Sequence, residues 1–311
     1  MDLVYVLCGF VVLLFAGDAL VRGAVGLSLK LGIPSLIISL TVVAFGTSAP
    51  ELLISVNAAL DGVSGLALGN VVGSNIANVL LVLGVPAVLF GISMQDGSSK
   101  QNYIYMILAT FVFIVLGFTG RFMWFHGILL LLMLAMILLQ AYRHAKQSRA
   151  AMMSATDEIP ETDGIWWKII MLLAIGVLGL PFGANLLVEG AVSIAQKAGV
   201  DDAVIGLTLV AIGTSLPELA TTVMAAYRKE ADVAIGNVVG SNIFNLLGVI
   251  GITSLLTPLP VPHGFLTFDF WIMLAASLVL IPFLWLKVDL GRVWGALFLT
   301  AYAVYLGILF V

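Results

Sequence analysis

Long apolar segments alternate with short polar ones along the whole 311-residue chain. Each apolar segment reaches about 18 residues or more, which lets a helix cross the ~30 Å hydrocarbon core of a bilayer. Charges and turn residues divide the chain into ten such spans: 2–29, 33–60, 64–92, 102–119, 123–142, 165–197, 203–227, 233–257, 265–286 and 292–311. The pattern therefore predicts an all-α membrane protein with ten transmembrane helices.

The composition supports this class. Apolar residues make up 61% of the chain and charged residues only 10%, with a mean hydropathy of +1.16. A soluble domain usually carries about a quarter charged residues. The net charge of −4 is small and scattered, so we expect the lipid bilayer as a partner and no nucleic acid.

Lysine and arginine are unevenly distributed between the two predicted sides of the membrane. If the N-terminus is outside, eleven of the thirteen basic residues fall at cytoplasmic ends, leaving only Arg121 and Lys197 outside. The positive-inside rule then predicts both termini outside and the polar segment 147–164 in the cytoplasm. The short loops and apolar bulk indicate a prokaryotic plasma (inner) membrane.

A shift of 167 residues aligns the two halves of the chain. The stretch "LIISLTVVAFGTSAPEL" (36–52) matches 203–219 at 11 of 17 positions, and "GNVVGSNIAN" (69–78) matches 236–245 at 9 of 10. Polar identities in register predict an internal duplication: a first repeat 1–146, a connecting loop 147–164 and a second repeat 165–311. Each half has five spans, an odd number, so the second repeat must be inverted, which is typical of secondary transporters.

Two glutamates, Glu51 and Glu218, lie at equivalent positions near the middle of their spans. A bare carboxylate there costs an estimated ~3 kcal/mol or more, so it should face a cavity, a partner or a cation. A protonated glutamate that hydrogen-bonds to a neighbour is the alternative. Two such residues at matching positions, each preceded by hydroxyl groups, favour a cation site.

Oxygen ligands surround each carboxylate in sequence. The hydroxyls one turn earlier are those of Thr47, Ser48, Thr214 and Ser215. Pro50 lacks an N–H, so it should kink the span and free a backbone carbonyl. Hydroxyl, carbonyl and carboxylate oxygens suit Ca²⁺ and Na⁺, and the motif lacks the imidazole and thiolate ligands that zinc or copper prefer.

The second repeated block, 69–78 and 236–245, carries a polar stripe with a four-residue period. Its members are Asn70, Ser74 and Asn78 in the first repeat, and Asn237, Ser241 and Asn245 in the second. We expect both serines to contribute oxygens to a cation, while interhelical hydrogen bonding explains Asn70 and Asn237 equally well. Two glutamates are neutralised by one Ca²⁺ or by two Na⁺, so competition at one alternately exposed site gives counter-transport without enzyme chemistry.

The paired blocks resemble the two α-repeats of the cation/calcium antiporter superfamily, and within it the prokaryotic sodium/calcium exchangers. The resemblance implies a Na⁺/Ca²⁺ antiporter with both ions as substrates. We expect no bound cofactor and a monomer. It implies a ligand set of Glu51, Glu218, Thr47, Ser48, Thr214, Ser215, Ser74, Ser241, Asn78 and Asn245, with the carbonyls of Ala44 and Ala211. It also implies that the first and sixth spans slide across the core. Asn245 stands where potassium-dependent members carry Asp, which argues against K⁺ co-transport.

Three other functions remain open from the sequence. A Ca²⁺/H⁺ antiporter could use the same carboxylates, although the proton-coupled branch tends to carry an Asn-containing form of the Thr-Ser-x-Pro signature. An intramembrane serine hydrolase using Ser48 or Ser215 would need a base, and no histidine or lysine lies in mid-span. A cation channel is less compatible with inverted repeats around a closed site.

Overall fold

The computed structural model describes residues 1–94, 100–155, 166–199 and 211–309, with side chains except those of 148–155 and 211. Helices dominate this part of the chain. They are α1 Asp2–Leu31, α2 Ser35–Thr47, α3 Ala49–Leu60, α4 Ser64–Leu89, α5 Lys100–Gly117, α6 Trp124–Ala155, α7 Trp166–Lys197, α8 Ala211–Thr214, α9 Leu216–Tyr227, α10 Ala231–Leu256, α11 Phe265–Leu286 and α12 Arg292–Leu309.

The helical membrane architecture predicted from hydropathy is confirmed over the described ranges. Eight helices there are long and apolar enough to cross a membrane, and the bent pair α2–α3 adds a ninth if it is one span. The predicted span 203–227 is described only from residue 211 onward, as α8 and α9. The count of ten transmembrane helices therefore stays a prediction.

Helix α6 is longer than the sequence pattern predicts. The predicted span ends at 142 and the predicted loop begins at 147, whereas the helix continues to Ala155. The extension contains Gln, Arg, Ala and Met, which are good helix formers, so the helix can continue beyond the apolar segment. The rest of the predicted connecting loop, from residue 156, lies outside the described residues.

Helices α1 and α7 pack closely in antiparallel directions. A Cβ atom added to Gly176 would lie 2.5 Å from Cβ of Leu20, and one added to Gly190 would lie 2.7 Å from the carbonyl oxygen of Asp2. Real Cβ atoms do not approach so closely, so only glycine allows this backbone separation. The small residues recur two helical turns apart, at Gly9, Ala16 and Gly23 of α1 and at Gly176, Gly183 and Gly190 of α7.

Helices α4 and α10 occupy the centre of the molecule. Along an 18-residue apolar stretch of each helix, 94% of the residues in α10 and 78% of those in α4 are buried, compared with 22% in α12. These two helices carry the second repeated block, 69–78 on α4 and 236–245 on α10. Their polar stripes therefore lie inside the protein rather than against lipid, where an unpaired amide would be costly.

Two short extended pairings connect distant loops. Strand β1 (Arg121–Phe122) pairs antiparallel with β2 (Leu259–Pro260), and Ile92 forms a single bridge with Leu290. A shift of 167 residues carries 92 to 259 and 290 back to 123, so the two pairings lie at repeat-equivalent positions to within one residue. The sequence pattern did not predict these strands because two residues are too few to display an alternation of polar and apolar positions.

Candidate cation site

The first repeated block, 36–52, contains a helix start in the protein interior. Helix α2 ends at Thr47, Ser48 has φ −84° and ψ 3°, and α3 begins at Ala49 at an angle of 43° to α2. Pro50 lies in the first turn of α3, where its missing N–H leaves no hydrogen bond unmade. Glu51 lies in the same turn, where the positive end of the helix dipole stabilises a negative charge.

The copy of this block in the second repeat is built in the same way. Ser215 has φ −86° and ψ 1° and separates α8 from α9, with Pro217 and Glu218 in the first turn of α9. The kink predicted from Pro50 is confirmed by the α2–α3 bend. The pattern of apolar residues did not predict that each glutamate begins a separate helix, because the apolar run continues across the break.

Neither glutamate has a positively charged partner in the described parts of the chain. Both side chains are 0% exposed, and no ion pair found there involves either residue. Among the described residues, both carboxylate oxygens of Glu51 and Oε2 of Glu218 also lack a hydrogen-bond partner. Burying an ionised carboxylate in this way costs several kcal/mol, so the pair needs cations or protons to compensate it.

Hydroxyl groups from both halves of the chain converge on Glu218. Oε1 of Glu218 accepts hydrogen bonds from the hydroxyls of Ser48, at 3.4 Å, and Ser241, at 3.5 Å. The hydroxyl of Thr47 lies 3.3 Å from Oγ of Ser241 and donates to Oδ1 of Asn237 at 3.3 Å. These distances exceed the 2.7–2.8 Å typical of O–H···O bonds, so these hydrogen bonds are weak.

Several other site residues end in buried polar atoms without a partner. Within the described ranges these atoms are Oγ of Ser215, Oδ1 of Asn75, Oδ1 of Asn78 and both side-chain polar atoms of Asn245. Buried polar atoms without partners are rare in native proteins, and here they occur on the central helices α4 and α10 and at Ser215, just before α9. The group offers neutral oxygen ligands around two carboxylates.

This donor set fits hard cations better than transition metals. The described residues contain no group of three or more His, Cys, Asp or Glu side chains that could hold a metal ion. Oxygen ligands at ~2.3–2.6 Å suit Ca²⁺, and Na⁺ has similar preferences, whereas zinc and copper favour nitrogen and sulfur. The chemistry of the site therefore matches the cation class inferred from the sequence.

Asn70 and Asn237 hold helices together beside the glutamates. Nδ2 of Asn70 donates to the Glu51 carbonyl at 3.1 Å and to Oγ of Ser55 at 2.9 Å. Nδ2 of Asn237 donates to the Glu218 carbonyl at 3.3 Å and to the hydroxyl of Thr222, the repeat equivalent of Ser55, at 3.1 Å. Of the two explanations left open by the sequence, the interhelical one describes both residues.

The backbone carbonyls of Ala44 and Ala211 are both predicted ligands. The Ala44 carbonyl accepts the Ser48 N–H at 2.9 Å and the Thr47 hydroxyl at 3.3 Å. A cation at this carbonyl would therefore lie next to the Thr47 hydroxyl. Ala211 begins α8, and its side chain is outside the described set.

Ser74 and Thr214 line a cavity of about 420 Å³. Asp269 of α11 and Tyr305 of α12 line the same cavity. The Tyr305 hydroxyl donates to Asp269 Oδ1 at 3.1 Å. Sequence reasoning missed Asp269 because it lies near the end of its span, where acidic residues are common.

One family matches nearly the whole chain. The family described as "Sodium/calcium exchanger protein" matches residues 1–143 and 168–311. The chain belongs to this family. The resemblance to the cation/calcium antiporter superfamily, and within it to the prokaryotic exchangers, is thereby confirmed.

Similar proteins are matched over almost their full lengths. Sodium/calcium exchanger MaX1 of Methanosarcina acetivorans is 33% identical over 339 residues, with 98% of this chain and 97% of MaX1 covered. Putative antiporter CaxA of Alkalimonas amylolytica is 36% identical over 316 residues, with 99% and 98% covered. The solved structure of the sodium-calcium exchanger NCX_Mj, soaked with 10 mM Na⁺ and 10 mM Sr²⁺, is similar with a TM-score of 0.85, at 32% identity and 98% and 97% coverage. These relatives are named as exchangers and antiporters, not as enzymes.

Proposed function

We propose that the protein is a secondary-active antiporter that exchanges Na⁺ for Ca²⁺ at the site formed by Glu51 and Glu218. The observation that carries this proposal is the pair of fully buried carboxylates, each at an interior helix start and without a positive partner in the described chain. One Ca²⁺ or two Na⁺ would neutralise both. Occupation by one ion excludes the other, and alternating exposure of the site turns this exclusion into exchange.

The ligands of the cations come from both repeats. The carboxylates of Glu51 and Glu218 are shared between Ca²⁺ and Na⁺. The remaining oxygens are assigned to Thr47, Ser48, Thr214, Ser215, Ser74, Ser241, Asn78, Asn245 and the carbonyls of Ala44 and Ala211. The contacts of Ser48 and Ser241 with Glu218 and the unpartnered oxygens of Ser215 and Asn78 support this assignment.

Alternating access follows from two inverted repeats of five helices, 1–146 and 165–311, joined by the segment 147–164. Matching contacts support this organisation. The bonds from Asn70 to Glu51 and from Asn237 to Glu218 are related by 167 residues, as are the small residues along α1 and α7. An odd number of spans in each repeat would place equivalent residues on opposite sides of the membrane.

The distribution of Lys and Arg supports an orientation with both termini outside and the segment 147–164 in the cytoplasm. The membrane is then the plasma (inner) membrane of a prokaryotic cell. In this orientation the cavity beside Asp269 opens toward the outer side, since α11 begins there. Its single carboxylate would raise the local concentration of cations on the way to Ser74 and Thr214.

Ca²⁺/H⁺ exchange is the second candidate, because carboxylates without a positive partner can be neutralised by protons as well as by Na⁺. The Thr-Ser-x-Pro sequence of both motifs favours Na⁺ coupling. Neither serine of these motifs contacts a histidine or lysine in the described structure, and Ser48 instead donates to Glu218. A serine hydrolase therefore gains no support.

Uptake of ⁴⁵Ca²⁺ into proteoliposomes tests the proposal. Vesicles loaded with Na⁺ are compared with vesicles that carry only a pH gradient. Wild-type protein should take up Ca²⁺ only with internal Na⁺, and Glu51→Gln should take up none. Glu189→Gln, which changes an exposed carboxylate on α7, is the matched control and should behave as wild type. Uptake driven by the pH gradient alone would assign the protein to Ca²⁺/H⁺ exchange.

A further inference from the structure

Three buried asparagines bond to one another where the central helices α4 and α10 touch, and a fourth, Asn245, is the repeat equivalent of one of them. Nδ2 of Asn75 donates to the backbone carbonyl of Asn242 at 3.3 Å, and Nδ2 of Asn242 donates to the carbonyl of Asn75 at 3.4 Å. The two residues are 167 positions apart, so this reciprocal pair relates the repeats to each other. All four asparagines are at most 1% exposed, and the other two are Asn78 and Asn245.

The surroundings of the reciprocal pair also match. The same two amide groups contact methionine sulfurs, Asn242 that of Met106 at 3.6 Å and Asn75 that of Met273 at 4.0 Å. Met106 and Met273 are again 167 positions apart. Each of these contacts therefore has a counterpart in the other repeat.

One bond breaks this correspondence. Nδ2 of Asn78 donates to Oδ1 of Asn242 at 3.0 Å. The equivalent bond would join Nδ2 of Asn245 to Oδ1 of Asn75, and both of those atoms lack a partner among the described residues. The two repeats thus differ: Asn242 holds Asn78, whereas Asn75 does not hold Asn245.

The bond that is made determines which end of the Asn78 amide is free. An amide group has a donating nitrogen and an accepting oxygen, and a cation can bind only the oxygen. With Nδ2 held by Asn242, Oδ1 of Asn78 remains buried and has no partner among the described residues, one turn along α4 from Ser74. Without that bond, the amide could rotate and present its N–H groups, which repel a cation.

We propose that Asn242 is a positioning residue that holds Asn78 with its oxygen available to the transported cation, and that Asn75 holds Asn245 in the same way when the site is exposed to the other side. The proposal rests on the proposed exchange function. Inverted repeats that exchange conformations during alternating access would also exchange which of the two bonds is made. Asn78 and Asn245 lie in π-helical turns, Asn78–Val82 and Phe244–Val249. Such turns occur frequently at functional sites.

The test is a double-mutant cycle on Ca²⁺ binding by the purified full chain, measured by titration calorimetry and by the rise in unfolding temperature that Ca²⁺ produces. Asn242→Ala should weaken Ca²⁺ binding by about three- to tenfold, the value of one buried hydrogen bond. It should have no further effect in an Asn78→Ala background and its full effect in an Asn245→Ala background. Asn75→Ala should have no further effect in an Asn245→Ala background and its full effect in an Asn78→Ala background.

The unfolding temperature without Ca²⁺ separates positioning from packing. A packing defect lowers it in every background, whereas lost positioning lowers the Ca²⁺-induced rise only when Asn78 is present. If Asn242→Ala does not elute as a single folded species, Asn242→Leu, whose side chain has the same number of heavy atoms and the same branching, takes its place. Equal effects of the Asn242 variant in all backgrounds would overturn the proposed positioning. Absence of Ca²⁺ binding by the wild-type protein would instead overturn the exchange function together with it.

Discussion

Glu51 and Glu218 each begin a helix inside the protein, with a proline beside them in the first turn. The helix dipole lowers the cost of a negative charge at each position, and the missing proline N–H costs nothing there. The dipole contributes up to ~2 kcal/mol, which is less than the cost of burying an ionised carboxylate. Bound cations or protons must supply the remaining stabilisation.

The cation-free protein should therefore be strained by its own carboxylates. Glu218→Gln should raise the unfolding temperature in cation-free buffer, because a neutral amide is cheaper to bury than a carboxylate. The same substitution should abolish the rise that Ca²⁺ causes in the wild type. Intrinsic fluorescence on heating measures both effects, with the exposed Glu189→Gln as the control. A Ca²⁺-induced rise that survives in Glu218→Gln would contradict the assignment of this carboxylate.

The hydroxyl of Ser48 reaches across the repeats to Glu218. Ser48→Ala removes one oxygen from the site and should weaken Ca²⁺ binding by roughly fivefold, with little change in cation-free stability. Ser254→Ala is the matched control, since this buried hydroxyl bonds only to backbone carbonyls of its own helix. Calorimetric titration measures both. Equal affinities for the two variants would remove Ser48 from the ligand set.

Much of the site could be predicted from the sequence because its residues occur twice in register. The repeat singled out the glutamates and the hydroxyls that converge on Glu218. Asn75 and Asn242 were missed, although they lie in the same repeated block, because they interrupt the four-residue period used to find the polar stripe. Their contact depends on how α4 and α10 pack, and no pattern within one helix reveals that.

At the scale of helices, the antiparallel pair α1–α7 depends on glycine. The Cβ of an alanine at position 176 would lie 2.5 Å from Cβ of Leu20 and 2.8 Å from its Cα. The backbones must separate to relieve this contact. The same small-residue spacing in both helices explains how two long apolar helices associate in lipid, where the hydrophobic effect does not drive association.

Gly176→Ala should therefore lower the free energy of unfolding by about 1–3 kcal/mol, as expected for overpacking a close contact. Gly307→Ala on α12 provides the control, since a Cβ there meets no atom within 4 Å among the described residues. Alanine at position 307 should leave stability unchanged or raise it slightly, because alanine favours helix. Thermal unfolding in detergent compares the two. A Gly176→Ala protein as stable as the control would refute the close packing of α1 and α7.

Helix boundaries followed the predicted spans closely where a turn residue or a charge ends the apolar run, as at Leu31, before Gly32, and at Leu286, before Lys287. They departed from it where the cause of the boundary is not polarity. Helix α6 continues to Ala155 through polar residues that form helix well, and α2 ends at Thr47 within an apolar run. Hydropathy shows which segments can lie in the membrane, whereas helix starts and ends depend on local backbone hydrogen bonds.

For the molecule as a whole, the two repeats make matching contacts around the asparagine pair and beside both glutamates. An odd number of spans in each repeat would relate these contacts by a two-fold axis in the membrane plane. Such an arrangement gives one site two equivalent routes, one to each side. The sequence repeat could predict this equivalence, but the difference between the repeats, the single Asn78–Asn242 bond, required the structure.

The orientation makes a direct prediction about which side each loop faces. In a Cys8→Ser background, Asp61→Cys should react with a membrane-impermeant maleimide applied outside intact cells, and Lys146→Cys should react only after the membrane is opened. Both original side chains are exposed. Labelling of position 146 in intact cells would contradict the predicted orientation.

The central claim is that one pair of carboxylates holds either Ca²⁺ or Na⁺, and equilibrium Ca²⁺ binding in the presence of increasing Na⁺ tests it most directly. The purified protein should bind Ca²⁺ with an apparent affinity that falls as Na⁺ rises, with a log–log slope of about two or more, because at least two Na⁺ replace each Ca²⁺. Replacement of Na⁺ by choline should restore full affinity at the same ionic strength. An apparent affinity that is the same in Na⁺ and choline would contradict a shared site.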